Sequence, residues 1–376
     1  MKSIDAKGFR PFFLLAGVQA LIAMGLWLAS LGGALQLDGA LSGLRWHAHE
    51  MVHGFTVAVI AGFLLTAVGN WTGRETLVGM PLRTLAGLWL AARLALLFDT
   101  GLLGPLLDLS FLPLLALAIG RPLWATRNLR NAAFPGLLML LWACNLASWL
   151  DPALAPRADR FAIYVIQGII LLVAGRIVPM FTRNTTGVAE IRNRPGMDTL
   201  ALAAAGAVAL LSLVPGATTA MDIAAAVAGV AVLARASTWG FVPALRVPML
   251  WVLHLGHAFI GLGYMMQALS ALWPLGSSLP LHAMTVGGIG MLTLGMMARV
   301  GLGHTGRTIR AHPVIALAFG ALGLAALVRV LGPLLLPDRL LLPWMLAGGL
   351  WILAFAAFVV VYLPILLAPR PDGKAG

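Results

Sequence analysis

The sequence predicts an all-α membrane protein, a bundle of about 12 transmembrane helices whose N- and C-termini are cytoplasmic. Hydrophobic residues make up 60% of the 376 positions and charged residues 10%, and the mean hydropathy is +0.94. Soluble domains carry far more charge than this. Apolar runs of about 20 residues, the length of helix that crosses a bilayer core, recur along the chain. We therefore expect a single polytopic domain, residues 1–376, embedded in a lipid bilayer.

Breaks that are charged or rich in glycine and proline separate the apolar runs, and each predicted helix is the run between two breaks. The first run follows Lys7 and Arg10 but is too long for a signal peptide and has no clear cleavage site, so we interpret it as a retained helix. In chain order the predicted helices are 11–33, 46–70, 80–98, 104–124, 131–150, 160–181, 197–214, 217–235, 248–272, 279–302, 313–334 and 341–367.

The distribution of lysine and arginine sets the orientation. With the N-terminus inside, most of these residues fall in cytoplasmic segments, and the external segments hold only Arg45, Arg157, Arg160 and Arg339. Cytoplasmic loops of membrane proteins collect basic residues in this way. The formal net charge of +12 therefore reflects topology, and we expect no nucleic-acid partner.

Charged residues inside predicted helices must pair, face the bundle interior or line a wet path, because a lone charge against lipid is costly. We expect Arg93, Asp222 and Arg329 to form ion pairs that lock helices together. Glu50 and Asp108 lie some way below the outer surface, where a carboxylate is either a proton relay or a plain hydrogen-bonding group. The set comprises Glu50, Arg93, Asp108, Arg176, Asp222, Arg299 and Arg329.

Histidines are the candidate metal ligands. Imidazole suits iron and copper, and the only cysteine, Cys144, rules out a thiolate-bound cluster, so the pattern favours haem or copper over zinc or iron–sulfur. All eight histidines lie in or beside predicted helices: His47, His49, His53, His254, His257, His282, His304 and His312.

Helix geometry divides these histidines into two groups. His282 and His304 are separated along one helix by about 33 Å, nearly the whole bilayer core, so they cannot share an ion. The predicted outer group is His47, His49, His53 and His282, and the predicted inner group is His254 and His304, with His257 one turn above His254 and nearer the midplane. His49 and His53 share a helix face by their spacing of four. His312, before Pro313, is expected to be a helix cap or a solvent-exposed group.

The segment Gly301–Thr308, GLGHTGRT, imitates a nucleotide-binding loop. Such loops require a preceding strand in an α/β unit, whereas a membrane helix precedes this one. We therefore predict a glycine-rich helix end at which His304 and Arg307 face the cytoplasm, toward an anionic group such as a haem propionate.

Seven motifs together carry a family resemblance: WHAHE, AGFLLTAVGNWTG, FLPLLALAIGRPL, GRIVPMFTRN, MLWVLHLGHA, LHAMTVGGIG and RVGLGHTGR. From about Gly8 onward the chain resembles the NnrS family of membrane proteins. The resemblance implies about twelve helices, haem b and copper as cofactors, and a role in nitric oxide metabolism and nitrosative-stress defence in the bacterial cytoplasmic (inner) membrane.

Position by position, the resemblance also implies site residues. The family's histidines resemble His47, His49, His254, His282 and His304, and its arginine-containing motifs contain Arg176, Arg183, Asn184, Arg299 and Arg307. His53 and His257 stand where similar proteins are expected to have an aromatic residue, so they are extras by this comparison. We favour His47 or His49 with His282 for an outer haem, and His254 with His304 for an inner site whose candidate anion-binding partners are Arg176, Arg183 and Arg307.

Three functions are compatible with these features. The first is reduction of two nitric oxide molecules to nitrous oxide, with electrons from quinol or a cytochrome and protons passed by Glu50 or Asp108. The second is a transporter or metal-handling carrier, because polar residues on interrupted helices also mark substrate paths. The third is a haem-based nitric oxide sensor or assembly factor without turnover.

Overall fold

The computed structural model describes residues 3–272 and 278–374, and helices without any β-strand account for their regular structure. We number twelve helices in chain order. They are α1 (Phe9–Leu31), α2 (Gly43–Thr72), α3 (Met80–Leu97), α4 (Leu103–Ala125), α5 (Ala133–Leu150), α6 (Ala155–Thr186), α7 (Pro195–Leu211), α8 (Thr218–Ala236), α9 (Pro248–Ala268), α10 (Ser278–His304), α11 (Pro313–Leu335) and α12 (Leu341–Leu367).

The predicted all-α membrane fold is confirmed. Within the described residues, eleven helices are long and apolar enough to cross a membrane. The shorter one, α7, has 17 residues and is also apolar. The largest differences from the predicted bounds lie in α6, which begins at Ala155 and continues to Thr186, beyond the predicted 160–181.

Helices α2 and α10 each contain a π-helical segment. In α2 the segment is Glu50–Thr56, and in α10 it is Ala283–Gly290. A π-helix is wider than an α-helix and frequently occurs at functional sites. The segment in α2 holds two of the residues singled out from the sequence, Glu50 and His53.

Proline and capping signals explain where several helices begin. Pro195, Pro248 and Pro313 lie in the first turn of α7, α9 and α11, where a missing backbone N–H costs no hydrogen bond. The Val314 N–H donates to the His312 side chain at the start of α11, with 3.3 Å between nitrogens. The predicted capping role of His312 is confirmed.

The chain divides into two compact units, each described here by itself. The first unit comprises Met1–Ala162, Met297–Ile309 and Phe355–Gly376, and the second comprises Ile163–Met296 and Arg310–Ala354. The expectation of a single domain stays a prediction.

Aromatic pairs join the helices of the first unit. The rings of Phe12 on α1 and Phe111 on α4 have centroids 5.7 Å apart, and those of Phe55 on α2 and Phe355 on α12 are 5.1 Å apart. Phe12, Phe55 and Phe355 are fully or almost fully buried, so these contacts form part of the apolar core of the first unit.

Small residues bring the helices of the second unit together. A Cβ atom on Gly229 of α8 would lie 2.9 Å from the carbonyl oxygen of Gly261 on α9. Glycine is therefore needed for the two backbones to approach this closely, as is common between membrane helices.

Candidate functional site

The two predicted carboxylates, Glu50 and Asp108, meet around one guanidinium. Arg93 on α3 donates from Nη1 to Glu50 Oε1 at 2.8 Å and from Nη2 to Asp108 Oδ1. The three side chains are at most 5% exposed. The predicted ion pairing of Arg93 is confirmed, and this one arginine joins α2, α3 and α4.

His49 bridges the same two carboxylates from the other side. Its Nδ1 lies 3.1 Å from Glu50 Oε1, and its Nε2 lies 3.1 Å from Asp108 Oδ2. A neutral imidazole has a single N–H, so it cannot donate to both carboxylates. An additional proton, either on the imidazole or on one of the carboxyl groups, would satisfy both contacts.

The charges of Glu50, Asp108 and Arg93 do not balance by themselves. Two carboxylates and one guanidinium leave one negative charge, which an additional proton at His49 or at a carboxyl group would cancel. Neutrality matters here because an uncompensated charge inside a membrane protein is strongly disfavoured. The arrangement of two carboxylates around one imidazole is therefore chemically suited to hold a proton.

Two amide side chains complete the network. Gln19 on α1 donates to Glu50 Oε2 at 2.5 Å, and Asn145 on α5 donates to Asp108 Oδ2 at 2.6 Å. We call the whole set the buried polar cluster: Gln19, His49, Glu50, Arg93, Asp108 and Asn145.

Sequence reasoning missed Gln19 and Asn145, because an amide in an apolar helix carries no motif. The only available signal was that each is a polar residue in an otherwise apolar run.

A glycine makes room for this cluster. A Cβ atom on Gly54, in the π-helical segment of α2, would lie 3.0 Å from Glu50 Oε2 and 3.3 Å from Gln19 Nε2. Both atoms would have to shift to accommodate a larger residue. Gly54 therefore permits the close packing of Glu50 against α1.

His53 is the buried imidazole that has no hydrogen-bond partner. It is 2% exposed, and neither Nδ1 nor Nε2 has a partner among the described residues. Its ring lies beside that of His49, with centroids 5.2 Å apart. Leaving such a group unsatisfied costs free energy, so an orphaned ring of this kind is suited to a ligand that supplies the missing bond.

The unpartnered ring nitrogens of His53 could hold a haem, since haem iron accepts an imidazole nitrogen. A metal could bind His49 only by displacing a carboxylate, because Glu50 and Asp108 contact its two ring nitrogens. The sequence signal for His53 was its spacing of four residues from His49, although the family pattern argued against a ligand role for His53.

His47 is half-buried, and its ring stacks on Trp27 with centroids 4.6 Å apart.

The remaining predicted residues of the first unit lie apart from the buried polar cluster. His304 packs its ring against Phe9, with centroids 5.6 Å apart, and its carbonyl oxygen accepts a hydrogen bond from Arg370 at 2.9 Å. Arg307 donates to the Thr305 carbonyl at 3.3 Å, and Arg299 is 7% exposed. Their predicted roles in binding a cofactor or anion stay predictions.

Within the second unit, His254 Nε2 lies 2.9 Å from Thr182 Oγ1, and that hydroxyl donates to the Val178 carbonyl. Thr182 therefore accepts from His254, which fixes the proton on Nε2. Arg183 is exposed and donates to the Ile191 carbonyl at 3.3 Å.

The other predicted residues of this unit are half-buried. Arg176 lies on α6. His282 Nδ1 lies 2.7 Å from the Ser278 carbonyl, and its Nε2 lies 3.2 Å from Arg329 Nη2.

The expectation that Asp222 and Arg329 form ion pairs is wrong. Asp222 accepts a hydrogen bond from Gln267 at 3.4 Å, and neither Asp222 nor Arg329 forms a salt bridge with any described residue. The position of these charges inside apolar helices predicted that each would be compensated by an opposite charge. Helix packing instead places the neutral amide of Gln267 beside Asp222 and the ring of His282 beside Arg329.

No group of three or more His, Cys, Asp or Glu side chains is placed to hold a metal ion within the part of the chain that the structure describes. Copper therefore has no preformed three-ligand site there, and its binding stays a prediction. The proposed pairs His49 with His282 and His254 with His304 each combine residues of different units, so they stay predictions as well.

The sequence model of a family described as NnrS protein matches residues 4–370, nearly the whole chain. No curated protein matches.

Proposed function

The chain belongs to the NnrS family of membrane proteins, and from that premise we propose that it binds haem b and copper and acts on nitric oxide. The most concrete form of this proposal is that the protein reduces nitric oxide in the bacterial cytoplasmic membrane, for nitrosative-stress defence or denitrification. In that reaction two nitric oxide molecules, two electrons and two protons give nitrous oxide and water. Quinol or a cytochrome would supply the electrons.

The observation that carries this proposal is the unpartnered, buried ring of His53 next to a proton-holding network. His53 would hold the haem by one ring nitrogen, and its position in the wider π-helical turn keeps it next to His49. A bound haem would supply a redox centre that exchanges single electrons and binds a diatomic molecule.

The buried polar cluster would hold one of the two protons. Hydrogen bonds run without a gap from Gln19 through Glu50, His49 and Asp108 to Asn145. Either Glu50 or Asp108 would take this proton from His49 by rearranging one hydrogen bond, and no helix would have to move. Arg93 keeps both carboxylates in position while the proton moves.

The test for haem is an optical spectrum and metal analysis of the full chain purified in detergent. We expect a Soret band in the wild type and a shifted or lost band in His53→Ala. The matched control is His312→Asn, which keeps a residue able to cap α11 and should leave the spectrum unchanged. A wild-type protein without a Soret band, or a His53→Ala spectrum identical to wild type, would contradict the assignment.

The other predicted ligands are tested in the same way. His47→Ala, His49→Ala, His254→Ala, His282→Ala and His304→Ala are compared for haem spectrum and copper content. If neither quantity changes in any of the five, their assignment as metal ligands is wrong, whatever the result at His53.

Turnover needs a separate measurement. Reduced protein given nitric oxide under anaerobic conditions should consume it catalytically and release nitrous oxide. Stoichiometric uptake without nitrous oxide would contradict the reductase and favour a sensor or assembly factor. Metal-dependent flux in proteoliposomes together with no Soret band would instead favour a carrier.

A further inference from the structure

Arg329 on α11 is a membrane-embedded cation that has no anion beside it. Its Nη2 lies 3.2 Å from His282 Nε2 and 3.4 Å from Ser278 Oγ, and no carboxylate of the described residues pairs with it. Its Nη1 is buried without a hydrogen-bond acceptor among those residues. Because an arginine in a membrane helix is costly unless its charge is compensated, a compensating group is expected.

The described side chains that contact Arg329 carry no negative charge. His282 donates from Nδ1 to the Ser278 carbonyl at 2.7 Å, so its Nε2 is the atom that accepts from Arg329. The guanidinium carbon lies 5.4 Å from the ring centroid of Trp344, and the buried indole Nε1 has no acceptor within the described residues. Two neighbouring donors, Arg329 Nη1 and Trp344 Nε1, therefore lack acceptors.

These residues lie near the ends of their helices. Ser278 is the first residue of α10, Trp344 lies in the first turn of α12, and Arg329 lies in the last two turns of α11. Tryptophan and arginine at such positions commonly face lipid headgroups. The distribution of basic residues predicts that this end is external.

We propose that Ser278, His282, Arg329 and Trp344 form a binding site for a single oxyanion, a carboxylate or phosphate group. Arg329 supplies the charge and Nη1, while Trp344 supplies a second donor from Nε1. His282, hydrogen-bonded to the start of α10, fixes the orientation of the guanidinium. Because both ring nitrogens of His282 are engaged in this arrangement, a metal could bind His282 only by displacing one of these contacts. The same chemistry recognises the phosphate of a lipid headgroup and a small anion from solution, and the experiment separates these sources.

The lipid arm uses native mass spectrometry of the full chain in detergent. The probes are phosphatidylglycerol and a diacylglycerol with the same acyl chains, which has no phosphate. If the occupant is a lipid, one phosphatidylglycerol is retained per chain in preference to the diacylglycerol, and Arg329→Gln weakens its retention at least about tenfold.

The soluble-anion arm measures thermal stability in sodium phosphate against sodium chloride at equal ionic strength. If the occupant is a small anion, phosphate raises the melting temperature of the wild type and not of Arg329→Gln, and phosphatidylglycerol shows no preference over diacylglycerol. Either result supports the site and identifies its source.

Two further variants control for misfolding and for general charge effects. Trp344→Phe keeps the ring under the guanidinium and removes only the Nε1 donor, so it should weaken anion retention about threefold or more in a protein that folds. Arg339→Gln removes an exposed arginine of the same unit and should change retention less than about twofold. The proposal is overturned if the wild type binds neither probe, or if Arg329→Gln and Trp344→Phe both bind as the wild type does.

Discussion

Replacing Arg93 by glutamine tests whether the buried polar cluster is held together by charge balance. The substitution removes two charge-assisted hydrogen bonds, to Glu50 and to Asp108. Each is worth about 1.5–3 kcal/mol, and removing one partner of a buried ion pair costs about 3–5 kcal/mol. We therefore expect the free energy of unfolding to fall by about 3–5 kcal/mol, because two buried carboxyl groups then lose the guanidinium that compensates them.

A double-mutant cycle isolates the charge effect. Asp108→Asn removes a negative charge that Arg93 compensates, so the Arg93→Gln/Asp108→Asn variant has the same net charge as the wild type. Its loss of stability should be smaller than the sum of the two single losses by about 0.5–3 kcal/mol.

The measurement is unfolding in detergent micelles with increasing dodecyl sulfate. Arg121→Gln, which changes an exposed arginine on α4, is the control and should lie within about 0.5 kcal/mol of wild type. A loss below about 1 kcal/mol in Arg93→Gln, or single losses that simply add, would refute the charge-balance reasoning.

Two further predictions concern packing and the C-terminal segment. Gly54→Ala should lower the free energy of unfolding by about 1–3 kcal/mol, since its Cβ would lie 3.0 Å from Glu50 Oε2. Gly25→Ala on α1, with no atom within 4 Å, should be neutral or stabilising by up to about 1 kcal/mol in the same unfolding assay, and equal effects at both sites would contradict the prediction. Beyond α12, the hydrogen bond from Arg370 lowers the pKa of Asp372. This hydrogen bond therefore stabilises the folded chain at a pH above the unfolded-state pKa of the Asp372 carboxyl group. The stabilisation is lost as the pH falls through the folded-state pKa. Arg370→Gln should raise that pKa toward its ordinary value in a ¹³C-carboxyl NMR titration, whereas an unchanged midpoint would show that the contact is absent in solution.

The sequence by itself determined the membrane class, the positions of the helices and the residues that are chemically expensive to bury. These properties depend on local composition, because about 20 consecutive apolar residues must form a helix in lipid to satisfy their own backbone hydrogen bonds. The capping role of His312 was likewise predictable from its place before Pro313. Glu50, Asp108 and Arg93 could be singled out for the same reason, since each is a charge in an apolar run.

Only the tertiary structure decided which of these residues meet. Glu50 and Arg93 are 43 positions apart, and Glu50 and Asp108 further still, so no spacing rule relates them. Packing of α2 against α3 and α4 placed two carboxylates around a single arginine, while packing of α10 and α11 left Arg329 beside a histidine. The π-helical turn in α2, which adds a residue to the helical repeat, accompanies the buried position of His53 and of Gly54. Helix periodicity predicts the faces within one helix, but the partner across an interface depends on how neighbouring helices pack, and that information is spread over the whole chain.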